Sequence, residues 1–255
     1  MVKIVVFDSG FGSLSMIKQI RKMMKAQIIY FADQSNFPYG KKSILQLRKI
    51  ITKTIDSLQN EFDPQVIVVG SNTPSILLGG YKSSKIIGVY PPLKEASQKT
   101  KTYSIAILST QNVVKSKALD ELIRKNVSKK VNILKINASS LVELVESGKF
   151  IENKRFCKNI IKSLLEKKFL NNNIDVVTLS STHLPFLLPI LQESFPKISF
   201  LDPAENVVKK IMRKHKSRGR ESLKIFSSGN VSKFQKQLHK IGINNKVIFK
   251  KYGIP

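Results

Sequence analysis

The chain has 255 residues, 42% of them hydrophobic, enough apolar material for one large domain or two compact ones with real cores. Lys and Arg number 44 against 17 Asp and Glu, a formal net charge of +27, and a field of that sign attracts polyanions. A single cysteine, Cys157, excludes an intramolecular disulfide and any multi-thiolate zinc site, and three His without HxxxH or CxxC spacing offer no metal site. No apolar run has the length of a membrane span, and the apolar part of MVKIVVFDSG is too short for a signal peptide, so a cytoplasmic protein without membrane contact is expected.

In chain order, apolar and β-branched runs predict strands at Lys3–Phe7, Gln27–Ala32, Val66–Val69, Ile86–Val89, Ser104–Leu108, Val131–Ile136, Val176–Leu179, Ile198–Leu201, Lys224–Phe226 and Lys246–Phe249. Amphipathic patterns such as Leu14–Met24, Leu45–Leu58, Leu119–Lys125 and Phe156–Phe169 predict helices between them. Strand runs without alternating polar residues belong to sheets covered on both faces, so the class is α/β with mostly parallel sheets.

Three strand-to-helix junctions are polar. In LSSTHLP (Leu179–Pro185), Ser180, Ser181, Thr182 and His183 crowd the end of an apolar strand, either as a hydroxyl beside a histidine base or as hydroxyl caps for the next helix. VIVVGSNTP (Val66–Pro74) echoes it: aligning Val69 with Leu179 places Ser71 over Ser181. The separation is the size of a domain, so two similar α/β lobes would carry both loops at the carboxyl ends of their strands, where ligands bind in open sheets, with the two serines facing across a cleft. FDSGFGSLS (Phe7–Ser15) sets an acid at a strand end and follows it with glycines that bring backbone N–H groups close to a ligand, although it is neither a GxGxxG fingerprint nor a P-loop. The densest basic run, Lys209–Arg220, reads either as a polyanion surface or as a lysine-rich solvated face, and no stacking aromatics interleave it.

The ordered set VVFDSGFGSLS, YFADQSNFPYGKKS, VVGSNTPS, IIGVYPPL, LSSTHLPFLLP and SSGNVSKFQKQL, spread over nearly the whole chain, resembles glutamate racemase of the aspartate/glutamate racemase superfamily. The resemblance implies two α/β lobes related by a pseudo-twofold axis, a site between them and no cofactor. The first lobe would comprise residues 1–94 and 206–255 and the second 95–205. It also implies a small amino acid or dicarboxylate as ligand, a homodimer, and, since some glutamate racemases inhibit DNA gyrase, nucleic acid or gyrase as a partner for the basic surface. Asp8 and Ser9 would lie at the substrate amino group and first catalytic position. Pro38, Tyr39 and Gly40 would contact substrate through backbone and loop groups. Asn72, Thr73, Thr110 and Thr182 would hold carboxylates and amine, and Glu146 and His183 would support the second catalytic position.

The two positions that carry the chemistry depart from the family: Ser71 and Ser181 stand where the resemblance implies cysteines. Ser13, Ser180 and Val113 also replace the family's residues nearby, which favours natural divergence over engineering and puts glutamate in doubt as the ligand. Cofactor-free racemisation needs one group to take a weakly acidic Cα proton and another to return one from the opposite face. A thiol can be poised as thiolate near neutral pH, whereas an alcohol is far less acidic. Three readings follow: a weak or inactive racemase-like protein that keeps its pocket, a binding protein that uses its basic surface, or a Ser–His enzyme acting on a carboxylate substrate.

Overall fold

The computed structural model describes residues 1–81, 83–217 and 219–252. The chain opens as β1 (Lys3–Asp8), α1 (Leu14–Met23), β2 (Gln27–Ala32), α2 (Ile44–Phe62), β3 (Val66–Val69), α3 (Asn72–Leu77) and β4 (Ile86–Gly88). It continues with α4 (Leu93–Lys99), β5 (Ser104–Ser109), α5 (Gln111–Val114), α6 (Lys117–Asn126), β6 (Asn132–Asn137), α7 (Ser139–Glu146), α8 (Lys149–Glu152), α9 (Lys154–Asn171), β7 (Val176–Leu179), α10 (Leu188–Ser194) and β8 (Ser199–Leu201). It closes with α11 (Ala204–Lys214), β9 (Ser222–Ser227), α12 (Val231–Lys240) and β10 (Val247–Phe249).

Every strand pairs in parallel, in two sheets: β10-β9-β2-β1-β3-β4 and β6-β5-β7-β8. This is the α/β class expected from the unbroken apolar runs. The order β2-β1-β3-β4 repeats as β6-β5-β7-β8, so β3 and β7 occupy equivalent places, each beside the first strand of its set. Within the pairs, Phe7 lies opposite Val69 and Leu108 opposite Leu179, which makes the loops after Val69 and Leu179 topological counterparts.

Two compact units result, Met1–Val89 with Ala204–Pro255, and Tyr90–Pro203. Their boundaries fall a few residues from those the resemblance implied, and both neighbouring helices stay whole. In α4 the reason is packing: Ala96 is buried in a cluster with Ile105, Val131, Val176 and Leu201, all of the second unit. In the first unit, α2 buries Leu47, Ile50, Ile51, Thr54, Ile55 and Leu58, the one-sided spacing of a 3.6-residue period. Its start is fixed by a capping box, with Gln46 N–H donating to Ser43 Oγ and the Gln46 side chain accepting from Ser43 N–H. Asn153 and Asn230 cap α9 and α12 more simply, their Oδ1 atoms accepting from Phe156 N and Lys233 N. Cys157, on α9, is fully buried, and burial pushes its thiol pKa up.

Candidate active site

In the first unit the site residues gather at the carboxyl ends of β1, β2 and β3. Asp8 ends β1 and is 1% exposed. Its Oδ1 accepts from Ser9 N at 2.6 Å and its Oδ2 from Ser13 Oγ at 3.2 Å. The Ser13 hydroxyl also reaches Gly70 O at 2.5 Å, so the turn after β1 is stitched to the turn after β3. Gly70 must be glycine on grounds of space: an added Cβ would overlap Ser13 Oγ and lie 2.9 Å from Ser13 Cβ and 3.1 Å from Phe7 O.

Ser71 is the N-cap of α3, yet its side chain makes no cap hydrogen bond. The backbone around it is held by Ser75, whose Oγ donates to Ser71 O at 2.8 Å and accepts from Val89 N at 2.9 Å. Asn72 and Thr73 are buried. The Asn72 Nδ2 donates to Val89 O at 3.3 Å, while its Oδ1 has no hydrogen-bond partner among the described residues. Leaving a buried acceptor unsatisfied costs about 1–3 kcal/mol, so such an atom invites a ligand donor.

Beyond β2 the chain makes two 3-10 turns, Gln34–Asn36 and Tyr39–Lys41. They carry Pro38, Tyr39 and Gly40 to the same end of the sheet, and the Phe37–Pro38 peptide is cis. The Tyr39 ring is 1% exposed in a core cluster with Val5, Phe7, Phe31 and Leu47, and its hydroxyl donates to Asp33 Oδ2 at 2.9 Å. Burial, followed by the charges of Asp33 and Asp8, raises the Tyr39 pKa well above its ordinary value, so the phenol stays a donor. Burial likewise raises the Asp33 carboxyl pKa, against the pull of its hydrogen bonds.

The second unit presents the matching junction. Ser180 is fully buried, with Oγ 3.0 Å from Thr178 Oγ1, and its carbonyl accepts from Ser109 Oγ at 2.9 Å. It is a satisfied core hydroxyl. Ser181, Thr182 and His183 follow, each nearly buried. His183, the residue before the 3-10 turn Leu184–Leu187, does not cap it by its side chain, and Leu184 N donates to Ser181 O at 3.0 Å. Instead His183 Nε2 lies 2.5 Å from Glu146 Oε1 at the end of α7, and Ser181 Oγ lies 3.4 Å from His183 Nδ1. A ring that donates from Nε2 to Glu146 and carries no second proton offers Nδ1 as acceptor to the Ser181 hydroxyl. Thr110 precedes α5 without capping it by its side chain, and Val113 is buried there.

The structure therefore collects Asp8, Ser9, Pro38, Tyr39, Gly40, Ser71, Asn72 and Thr73 at strand ends of the first unit. Thr110, Ser181, Thr182 and His183 lie at strand ends of the second, with Glu146 brought to His183. Asp33 and Ser228 were not singled out in the sequence. The signal was present in YFADQSNFPYG, where an acid directly follows a buried strand, as Asp8 ends its own.

No family model matches the chain. The glutamate racemase of Brucella canis is 28% identical over 218 residues, which cover 82% of this chain and 78% of that protein. A glutamate racemase isoform from Bacillus anthracis superposes with a TM-score of 0.83 at 24% identity, covering 98% of this chain and 97% of that one. The Escherichia coli glutamate racemase, solved with L-glutamate and an activator, gives 0.81 at 23% identity over 97% of each chain. The chain is similar in sequence and fold to glutamate racemases. Its two parallel sheets are those of that fold, and the motifs that carry the resemblance lie at the strand ends described above. Among the described residues no helix is long and apolar enough to cross a membrane, and no three His, Cys, Asp or Glu side chains stand together as a metal site.

Proposed function

We propose that this glutamate racemase-like protein keeps a pocket for an amino acid or small dicarboxylate and catalyses racemisation weakly or not at all. The observation that carries the reading is the pairing of two serine positions, Ser71 and Ser181, at topologically equivalent strand ends. These are the places where acid–base groups are needed, and hydroxyls there lack the acidity of thiols. Asp8, Ser9 and Asn72 Oδ1 are the groups suited to an ammonium ligand, Pro38, Tyr39 and Gly40 supply backbone contacts, and Thr73, Thr110 and Thr182 supply donors to carboxylates. Glu146 and His183 support the second position. The test is Cα proton exchange: the purified protein is incubated with L- and D-glutamate and aspartate in deuterated water, and loss of the Cα signal is followed by NMR alongside chirality. Titration calorimetry with the same compounds runs in parallel. Binding without exchange is the expected result. Exchange with inversion overturns the inactivity, and no heat with any of the four overturns the pocket.

The Glu146–His183–Ser181 series favours a second reading, in which His183 Nδ1 takes the Ser181 proton as the hydroxyl attacks a carboxyl derivative. A serine-directed covalent probe would then label Ser181, and labelling would be lost in His183→Ala. A probe that labels neither Ser181 nor Ser71 counts against it.

A further inference from the structure

The turn Ser227–Asn230 is among the motifs that carry the family resemblance, yet none of its residues has a part in the proposed pocket. Its surroundings give it one. Asp33 is fully buried, and its carboxylate accepts from Asn36 Nδ2 at 3.0 and 2.9 Å, Tyr39 OH at 2.9 Å, Ser228 Oγ at 3.2 Å and Ser35 Oγ at 3.3 Å. A carboxylate offers about four lone-pair sites, so its capacity is filled by one local loop and one distant turn. Asp33 N donates to Asp8 O at 2.7 Å, which ties the hub to the end of β1.

The distant turn grips the loop at further points. Ser35 N donates to Ser228 Oγ at 3.0 Å, Ser227 Oγ donates to Gln34 Oε1 at 2.9 Å, and Ser228 N donates to Ala32 O at 3.0 Å. At Gly229 a Cβ would stand 2.5 Å from Gln34 Oε1 and 2.6 Å from Gln34 Cβ, so the contact requires glycine. The loop held in this way, residues 33–41, ends in Pro38, Tyr39 and Gly40. The Tyr39 phenol is spent on Asp33, which leaves the backbone and the flanking groups to face a ligand.

We propose that Asp33 and Ser228 are positioning residues: the Ser227–Gly229 turn clamps Asp33, and Asp33 in turn fixes the Pro38–Gly40 segment for ligand binding. This rests on the pocket reading above, and its test has a ligand-free arm. Buried polar networks of this kind hold one arrangement when every member is satisfied. Removing one hydroxyl at the far edge should loosen the loop without dismantling the core.

The experiment compares Ser228→Ala, Ser228→Thr and Asp33→Asn with the parent chain by amide hydrogen exchange and by D-glutamate titration. Expected is at least a tenfold faster exchange at Lys41 and Lys42, whose N–H groups bond Pro38 O and Tyr39 O, with β7 amides unchanged. A fall in D-glutamate affinity of about tenfold should accompany it, and Ser228→Thr should restore both. Unchanged exchange in Ser228→Ala overturns the clamp, and faster exchange with undiminished affinity overturns its part in ligand binding. If the parent binds no D-glutamate the pocket reading fails on its own account, and the exchange arm still decides whether the clamp exists. If Asp33→Asn does not fold, the Ser228 pair carries the comparison.

Discussion

Gly70→Ala is the substitution whose cost can be worked most directly. The new methyl would overlap Ser13 Oγ, with Ser13 Cβ at 2.9 Å and Phe7 O at 3.1 Å. Phe7 O cannot retreat, because it accepts from Gly70 N at 2.8 Å within the β1–β3 edge. The Ser13 hydroxyl must therefore swing away, losing its bonds to Gly70 O and to the Asp8 carboxylate. The hydroxyl has one proton to share between the two acceptors, so what is lost is at most one charge-assisted bond, about 1.5–3 kcal/mol, and residual overpacking adds about 1 kcal/mol. The expected loss is about 2.5–4 kcal/mol, measured by urea unfolding followed by circular dichroism. On a Ser13→Gly background the obstruction is gone, and the same substitution should cost about 1 kcal/mol. A double-mutant cycle thus reads a coupling of about 1.5–3 kcal/mol between positions 13 and 70. A loss below 1 kcal/mol for Gly70→Ala alone, or equal losses in the two backgrounds, would refute the reasoning.

Ser71→Cys combined with Ser181→Cys should raise Cα exchange of glutamate or aspartate by at least a hundredfold over the parent, checked by the deuterium assay; no gain would place the defect in the pocket instead of the missing thiols. Glu146→Gln should cut labelling of Ser181 by a serine-directed probe about tenfold, since a neutral amide no longer stabilises a charged His183, and undiminished labelling would separate Glu146 from any such chemistry. Asp175 accepts from Thr100 Oγ1, Lys101 N and Thr102 N, and those bonds hold its pKa below the ordinary value although burial pushes it up. Its contribution is therefore present above the unfolded-state pKa and lost as pH falls through the lowered folded one. Asp175→Asn should cost about 1 kcal/mol at pH 7, allowing for solvent screening of a partly exposed group. That difference should vanish toward pH 2, as read from unfolding midpoints across the acid range.

The ten strand segments were visible in the chain because strands covered on both faces need continuous apolar residues: β3 is VIVV, β1 is apolar from Ile4 to Phe7, and β7 is broken only by Thr178. The repeat between Val66–Pro74 and Asp175–Pro185 could be read for the same reason: strand and polar junction are local, and local patterns survive in one dimension. Helix limits were less visible. Ser43 and Gln46 extend α2 past the expected Leu45 by a reciprocal cap, and Asp63 ends it in the left-handed region at φ 39°. LSSTHLP alone offers both a cap, the commoner use of such hydroxyls, and a base-activated hydroxyl. The contact of His183 with Glu146, 37 positions away, has no local signal, since it is made through the packing of α7.

By itself, then, the sequence determined the α/β class, the places where strands meet polar loops, and the serines at the two equivalent ends. Each of these depends on residue type and short-range period. What the tertiary structure decided was the partner of each hydroxyl: Ser180 Oγ meets Thr178 Oγ1, while Ser181 Oγ turns to His183. It also revealed Asp33 as a hub, because Ser228 lies 195 positions along the chain from it and only the pairing of β2 with β9 brings the two together. Hydrogen-bond partnership is a property of distance in space, and parallel strands joined by long crossovers set that distance without leaving a mark in the local sequence.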